Sequence, residues 1–477
     1  MPNNNANTNS RGFLTYFMIF LLLIVATFLV IVTFMMMSPF SNVLGFKYVY
    51  YSREKAYTRV TDSYDVNPEV DGSTYAKIFL GTTDMYINGD NVYVKVLRSN
   101  KVSEPYLKYN CNIMGFARNG QETDAIYSCK KDSGIVTVTV EKPSTFLNFK
   151  QDVGISILIP SEASYDEYLN NFTIHVTNKS GDVYLGNSTK LPAGNSEIKI
   201  SGVDFKSNSG SLIINKFFNP TIKKVFFNSD SGAINTAIET LTVSESLEVY
   251  SSKGRINFNK LISNGNTILS LANAKFKVAE ITANNVEFSI KDGYFDVDTI
   301  NGNLISNNSL NDFGYAQLNI KKVAGDVSLP FAGNAKIKIN EISGQTFISG
   351  KGCSLNLSNI NAAYIETTSG NVNITKQNDL VLTVKTVSGN IKVNYNISSV
   401  YDNRINLESQ KGNIKFNIKP SASCKFVMKN TKGEYKTKKS VDNKILSGSF
   451  ANPFEFNFGS NQINLTTDGN IVLDLIK

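Results

Sequence analysis

The sequence predicts an all-β protein folded as a parallel β-solenoid with coils of about 20 residues, preceded by one amino-terminal transmembrane α-helix. Three observations carry this. A unit recurs from Thr367 to Phe416, as Thr367-Thr368-Ser369-Gly370-Asn371-Val372-Asn373-Ile374, Thr386-Val387-Ser388-Gly389-Asn390-Ile391-Lys392-Val393 and Ser409-Gln410-Lys411-Gly412-Asn413-Ile414-Lys415-Phe416. The composition suits strands, with no tryptophan, one histidine, 22 tyrosines and 30 phenylalanines amid much Asn, Ser, Thr, Ile and Val. An uncharged apolar run extends from Phe13 to Met37.

Residues 1–11 form a polar, Asn-rich tail without periodicity, expected to be disordered. Residues 12–37 are long enough, at 1.5 Å per residue, to cross a hydrocarbon core of about 30 Å. Only Thr15, Thr27 and Thr33 are clearly polar there, so the helix lacks the polar stripe of a soluble one. A cleaved signal peptide is the competing reading. Its apolar core would be shorter and end in an A-x-A-like site, whereas this one ends in Met35-Met36-Met37-Ser38-Pro39, which favours an uncleaved signal anchor. Lys47, Arg53, Lys55 and Arg59 come after the span and, counted alone, would keep the large part in the cytoplasm. Paired cysteines, a long polar β-domain and possible N-glycosylation sequons at Asn171, Asn187 and Asn373 argue for an extracellular or lumenal domain. Long domains also cross largely regardless of charge. The expectation is a single-pass membrane protein with its carboxy-terminal domain outside the cytoplasm.

Residues 38–131 are the least regular part, either a membrane-proximal β region or the irregular first coils of the solenoid. Short strands are expected at Tyr48–Tyr51, Ala76–Leu80, Met85–Ile87 and Val92–Val96, with Asn88-Gly89-Asp90-Asn91 as a turn. Residues 132–477 form the solenoid. Strands are expected from Gly134 to Val140, from Val153 to Pro160 and from Phe172 to Val176. The glycine unit then recurs at Gly181, Gly210, Gly254, Gly293, Gly325, Gly370, Gly389, Gly412 and Gly469, with weaker copies at Gly232, Gly344 and Gly433. Wide gaps such as Gly254 to Gly293 imply a coil whose glycine was replaced.

Residues two and four past each glycine share a strand face and point into one core, while Lys392 and Lys415 point out. The corner glycines, Gly181, Gly370, Gly389, Gly412 and Gly469 among them, are expected to supply a positive φ. Asn371, Asn390 and Asn413 hold equivalent places and are expected to stack as an amide ladder. A single coil cannot bury its apolar face, so several must stack. A β-sandwich is the rival fold, but it does not need one corner sequence at near-constant spacing.

The run Ile157-Leu158-Ile159-Pro160, a strand from Phe172 to Val176 and Ser180-Gly181-Asp182-Val183, with Ser369-Gly370-Asn371-Val372 and Ser388-Gly389-Asn390-Ile391, resemble the putative adhesin family, whose β-helical domain is related to head-domain auto-transporter adhesins. The resemblance covers about residues 133–477 and implies a right-handed parallel β-helix. It implies no catalytic residues.

Four cysteines, Cys111, Cys129, Cys353 and Cys424, form no CxxC and sit far from the lone His175, which excludes the usual zinc patterns. Cys111 with Cys129, and Cys353 with Cys424, are candidate disulfides against the alternative of buried free thiols. Carboxylates at coil corners, Asp182, Asp292, Asp296, Asp298 and Asp326, are the candidates if the solenoid were a membrane-tethered polysaccharide lyase or hydrolase. Solvating an outer face is the blander reading of them. His175 alternates with Ile174 and Val176 and is expected at the surface. Walker, HExxH and GxSxG motifs are absent, and the net charge of +8 is spread without a basic-aromatic block, so no cofactor and no nucleic acid are expected. Lys425, Lys429, Lys432, Lys436, Lys438, Lys439 and Lys444 would solvate an edge near the end of the array, or attract anionic glycans or headgroups. The expectation is a non-catalytic surface for adhesion, interaction or spacing, its partners the membrane and glycans or cell-surface proteins.

Overall fold

Alternation along the strands translates directly into a core. In Lys336–Ile339 and Ser354–Ser358 every second side chain is buried and its neighbours face outward. The computed structural model describes residues 8–37, 46–57, 81–103, 105–118, 126–141, 147–306, 315–330, 333–377, 381–396, 403–418, 424–430, 432–437, 454–457 and 461–475. The expected strand at Ala76–Leu80 and the tail 1–7 lie outside them.

Strands stack in parallel and in register from coil to coil, as the repeat predicts. Ile256, Phe276, Phe295, Leu318, Ile337, Leu355, Val372, Ile391 and Ile414 form one inward row, so successive coils take from 17 residues (Leu355 to Val372) to 23 (Ile391 to Ile414). Two long faces run the length of the stack. One carries Asp84–Gly89, Thr173–Asn178 and Gly202–Ser207, and the other carries Tyr93–Ser99, Val183–Leu185 and Leu212–Ile214. A third, narrower face joins them in the middle coils, where 240–243, 260–263 and 280–283 pair. Inside, Phe276 stacks on Phe295 at 5.0 Å between ring centroids, and Phe288 on Phe295 at 4.9 Å. Burying each such ring contributes about 1.5–3 kcal/mol.

Antiparallel pairs occur only at the two ends among the described strands, which excludes the sandwich. Phe46–Tyr57 pairs with Tyr106–Arg118, which pairs with Leu147–Pro160. Ile126–Asp132 pairs with Ile135–Glu141, and Phe454–Asn457 with Cys424–Asn430. These pairs occupy backbone edges that would otherwise template aggregation.

The order of coils in space departs from the order in sequence at both ends. The coil of Asp84–Gly89 and Tyr93–Ser99 lies between the coil 135–160 and the coil 173–185. At the other end, Asn461–Thr467 and Ile471–Leu475 insert between the coil 404–418 and the coil 424–437. The expected boundary between residues 131 and 132 is therefore corrected. The turn Asn88–Asn91 is a solenoid corner rather than a hairpin, because the strands flanking it pair with other coils and not with each other.

The amino-terminal helix runs Thr8–Met37. No helix among the described residues is long and apolar enough to cross a membrane. Its side chains are described only from Thr15 to Val30 and at Thr33. The transmembrane assignment of 12–37 is thus not shown by the structure, although residues Tyr16–Val25 and Phe28–Val30 stand exposed.

Candidate functional site

The repeat motif itself builds corners. At the corner between the two long faces, Gly181, Gly210, Gly232, Gly254, Gly293, Gly370, Gly389, Gly412, Gly469 and Gly433 lie above one another. Positive φ, the expected reason for these glycines, holds only at Gly181 (153°) and Gly370 (104°). Elsewhere the reason is backbone approach. A Cβ on Gly232 would collide with the carbonyl oxygen of Gly210, and one on Gly412 with that of Gly389. The replaced glycine between Gly254 and Gly293 is Ala274, and Ala316, Ala335 and Cys353 continue the column, all fully buried. Gly325 and Gly344 belong to a different corner, stacked with Gly302 before the opposite long face.

A hydroxyl three residues before the glycine completes several of these corners. Ser229, Ser251, Thr386 and Ser409 each accept the amide proton of their own corner glycine at 2.9–3.0 Å. Ser409 also donates to the Gly389 carbonyl one coil away, at 3.1 Å. The Ser/Thr-x-x-Gly spacing is visible in the sequence, but its coil-to-coil role is not. The expected asparagine ladder is present. Asn371 Oδ1 accepts the Asn390 backbone N–H and side-chain Nδ2, each at 3.3 Å, Asn390 Oδ1 accepts the backbone N–H of Asn413 at 2.9 Å, and Asn413 Oδ1 that of Asn470 at 2.9 Å.

The corner carboxylates do similar work, and Asp296 and Asp298 share the outer face of one strand. Asp182, Asp292 and Asp326 accept backbone amides of Ser211, Tyr315 and Gln345 at 2.7–2.9 Å. Asp296 accepts from Asn319 Nδ2 at 2.9 Å, and Asp298 pairs with Lys321 at 2.6 Å. Among the described residues no group of three His, Cys, Asp or Glu side chains could hold a metal ion.

His175 is less exposed than expected. Its ring is 20% exposed, lies between Asp84 (Nε2 to Oδ1, 2.9 Å) and Asp204 (Nδ1 to Oδ2, 3.2 Å), and stacks on Tyr86 at 4.3 Å. The Asp204 hydrogen bond raises its pKa above 6.5 against the opposing effect of burial, with Asp84 adding to the rise. Burial pushes both carboxyls up, but the hydrogen bonds from His175 outweigh it with help from Thr83 at Asp84 and from Lys206 at Asp204, leaving each below its ordinary value.

Cys129 and Cys353 are free and buried, so neither expected disulfide is present. Cys111 pairs in register with Arg53 and Val153, whereas Cys129 pairs with Val138 on a separate strand pair. The side chains of Cys111 and Cys424 lie outside the described residues. Burial pushes the Cys129 thiol up to about 12 and raises that of Cys353. Of the sequons, Asn171 and Asn373 are exposed. Asn187 is occupied, its amide accepting from Arg98 N at 2.8 Å and donating to Arg98 O at 2.9 Å. Arg98 itself is buried and binds the carbonyls of Pro160 and Glu197 at 2.7 and 2.9 Å, beside Asp166. Of the lysine run, Lys425, Lys429 and Lys432 lie on the outermost carboxy-terminal coil, and Lys432 pairs with Asp468 at 3.5 Å. The side chains of Lys436, Lys438, Lys439 and Lys444 lie outside the described residues.

One outer face forms a trough of about 780 Å³. Two rows of outward side chains build it. Lys275, Tyr294, Gln317, Lys336 and Ser354 align in one, and Lys277, Asp296, Asn319, Lys338, Asn356 and Asn373 in the other. Tyr294 is 47% exposed, with the Lys275 ammonium 5.6 Å from its ring centre. The floor beneath is the inward row of Phe276, Phe295, Leu318, Ile337 and Leu355.

The stacked coils and their corners are the setting in which the chain can be compared with known proteins. The sequence profile of Toastrack DUF4097 matches residues 108–356, more than half of the chain. The chain belongs to the Toastrack DUF4097 family. The Toastrack match takes in the coil 135–160, His175 and Asp204 but not Asp84, and most of the trough. No curated protein matches the chain. Among solved structures, a "putative cell adhesion protein" from Clostridium sporogenes aligns over 89% of this chain and 100% of its own, at 8% identity and a TM-score of 0.14. A TM-score that low establishes no shared fold.

Proposed function

We propose that this protein is a single-pass membrane protein that displays a right-handed β-solenoid outside the cytoplasm as a non-catalytic interaction surface. The observation that carries the reading is the fate of the polar side chains. The carboxylates that hydrolytic chemistry would need are each committed to coil-to-coil bonds, Asp182, Asp292 and Asp326 to backbone amides, Asp296 to Asn319 and Asp298 to Lys321. What the outer faces offer is rows of lysines, amides and tyrosines in fixed register, the kind of extended surface that solenoids use for binding.

The anchor is supported by the helix Thr8–Met37, whose exposed side chains from Tyr16 to Val30 include no charge. Its threonines are satisfied within the helix, Thr27 and Thr33 donating to the carbonyls of Leu23 and Leu29 at 2.7 Å, as a lipid environment demands. Protease should degrade a tag at the carboxy terminus on intact cells without detergent, or, for a lumenal domain, leave it protected in sealed microsomes until detergent is added. A tag protected on intact cells and degraded in sealed microsomes without detergent would place the solenoid in the cytoplasm and end the displayed-surface reading.

A further inference from the structure

We infer that the trough on residues 275–373 is a binding site for a linear acidic polysaccharide, lying along the stack axis across the strands. This rests on the displayed-surface reading and names the ligand class for it.

The charge pattern is the first argument. Lys275 and Lys277 form one pair, and Lys336 and Lys338 a second, three strand steps further along. At about 4.8 Å per step the pairs stand about 14 Å apart. Neighbouring lysines on other rows are neutralised, Lys260 by Glu280, Lys321 by Asp298 and Lys322 by Glu341. Lys275, Lys277, Lys336 and Lys338 have no salt-bridge partner among the described residues, and the one acid within the trough, Asp296, is held by Asn319. Four unneutralised ammoniums facing one carboxylate suit a polyanion with spaced charges.

What lies between the pairs selects the polymer. Tyr294 presents an exposed ring, which offers a flat apolar surface to the C–H face of a sugar while its hydroxyl stays wet. Gln317 and Asn319 lie beside it, and Asn356 and Asn373 continue the row, offering amide donors and acceptors to ring hydroxyls. A polyphosphate would use the lysines and leave the tyrosine and amides idle. A neutral glucan would use the tyrosine and leave the lysines idle. An acidic polysaccharide engages both.

The experiment uses the full chain in detergent micelles, with binding of hexagalacturonate, maltohexaose and a short polyphosphate measured by calorimetry. Hexagalacturonate should bind, and should weaken about tenfold or more when Lys275, Lys277, Lys336 and Lys338 are all changed to Gln, several partly screened contacts being lost together. Tyr294→Gln should weaken hexagalacturonate by about fivefold and leave polyphosphate unchanged, an aromatic contact being worth about 1 kcal/mol. A Lys223→Gln/Lys253→Gln control should bind as the native chain does, and thermal melts should confirm that every variant is folded. The inference is overturned if hexagalacturonate does not bind, if the quadruple variant binds it undiminished, or if polyphosphate binds as tightly and Tyr294→Gln affects neither. None of these outcomes bears on membrane topology, which the protease test reads separately.

Discussion

The imidazole of His175 lies 2.9 Å from Asp84 Oδ1 and, on its other edge, 3.2 Å from Asp204 Oδ2. Asp84, His175 and Asp204 belong to three successive coils, so the only histidine of the chain bridges the stack where the inserted coil 84–99 meets its neighbours. Protonated, the ring donates to both carboxylates. Neutral, it donates to one and turns a lone pair toward the other.

The bridge gives stability a pH dependence. His175 has a raised folded pKa, so its contribution is complete below about 6.5 and fades as pH rises through the raised value. Asp84 and Asp204 have lowered folded pKa values, so theirs is present above the ordinary carboxylate range and is lost as pH falls through the lowered values. Denaturation midpoints should therefore be higher near about pH 5.5 than near about pH 8.5, and His175→Gln should remove about 1 kcal/mol of that difference, the partial exposure of the site limiting its size. Identical pH profiles for the native chain and the variant would show that the bridge contributes nothing.

The corner glycines make a second prediction. Gly412→Ala sets a methyl against the Gly389 carbonyl and 2.8 Å from Ser409 Oγ, in a part of the column where glycine stacks on glycine. The expected cost is about 1–3 kcal/mol in chemical denaturation. Gly81 is the contrast, with a φ of 68° and open space around it, so Gly81→Asn should cost a few tenths of a kcal/mol, asparagine tolerating that conformation. Equal losses at both positions would return the argument to φ.

Much of this architecture is legible in the sequence because it repeats locally. Strands, corners, the asparagine ladder and even the substituted coil at Ala274 emerge from spacing within one coil and the next. The reason for the glycines does not, since approach of Gly412 to Gly389 is a property of stacking and not of either residue. Gly325 lies at a different corner from the one its motif suggests, because two corners share similar punctuation. The partners that draw His175 out of solvent are 91 and 29 residues away, beyond the reach of strand alternation. The trough is hidden for the same reason, its lysine pairs being separated in sequence by three coils.

The buried hydroxyls supply the third prediction. Ser409→Ala removes the acceptor for the Gly412 amide and the donor to the Gly389 carbonyl, leaving two buried backbone groups unsatisfied. About 2–4 kcal/mol should be lost in denaturation. Ser409→Thr should restore most of it, because Thr386 fills the equivalent place one coil earlier and bonds the Gly389 amide at 2.9 Å. A threonine variant as unstable as the alanine one would mean that volume, and not the hydroxyl, is what the corner requires.

The inserted coil at the carboxy-terminal end makes a prediction that runs against sequence order. Removing residues 461–477 deletes the coil held between 404–418 and 424–437, stripping the parallel partner from Arg404–Ser409 and Ile414–Ile418 on one side and from Cys424–Asn430 on the other. Deleting 424–457 instead removes twice as many residues but only the outermost coil. The retained 419–423 and 458–460 then join the coils through a connection one residue longer than 397–403, which links Ile391–Asn396 to Arg404–Ser409. Residues 461–475 can stack on 404–418 as an ordinary next coil, in the register they already use. Hydrogen exchange should therefore show Arg404–Ser409 protected in the larger internal deletion and deprotected in the smaller truncation, since edge strands lose their ladder and open locally. The reverse ranking would mean that the coil 424–437 can close the stack directly. In that case the insertion would be a late addition to a solenoid that is already complete.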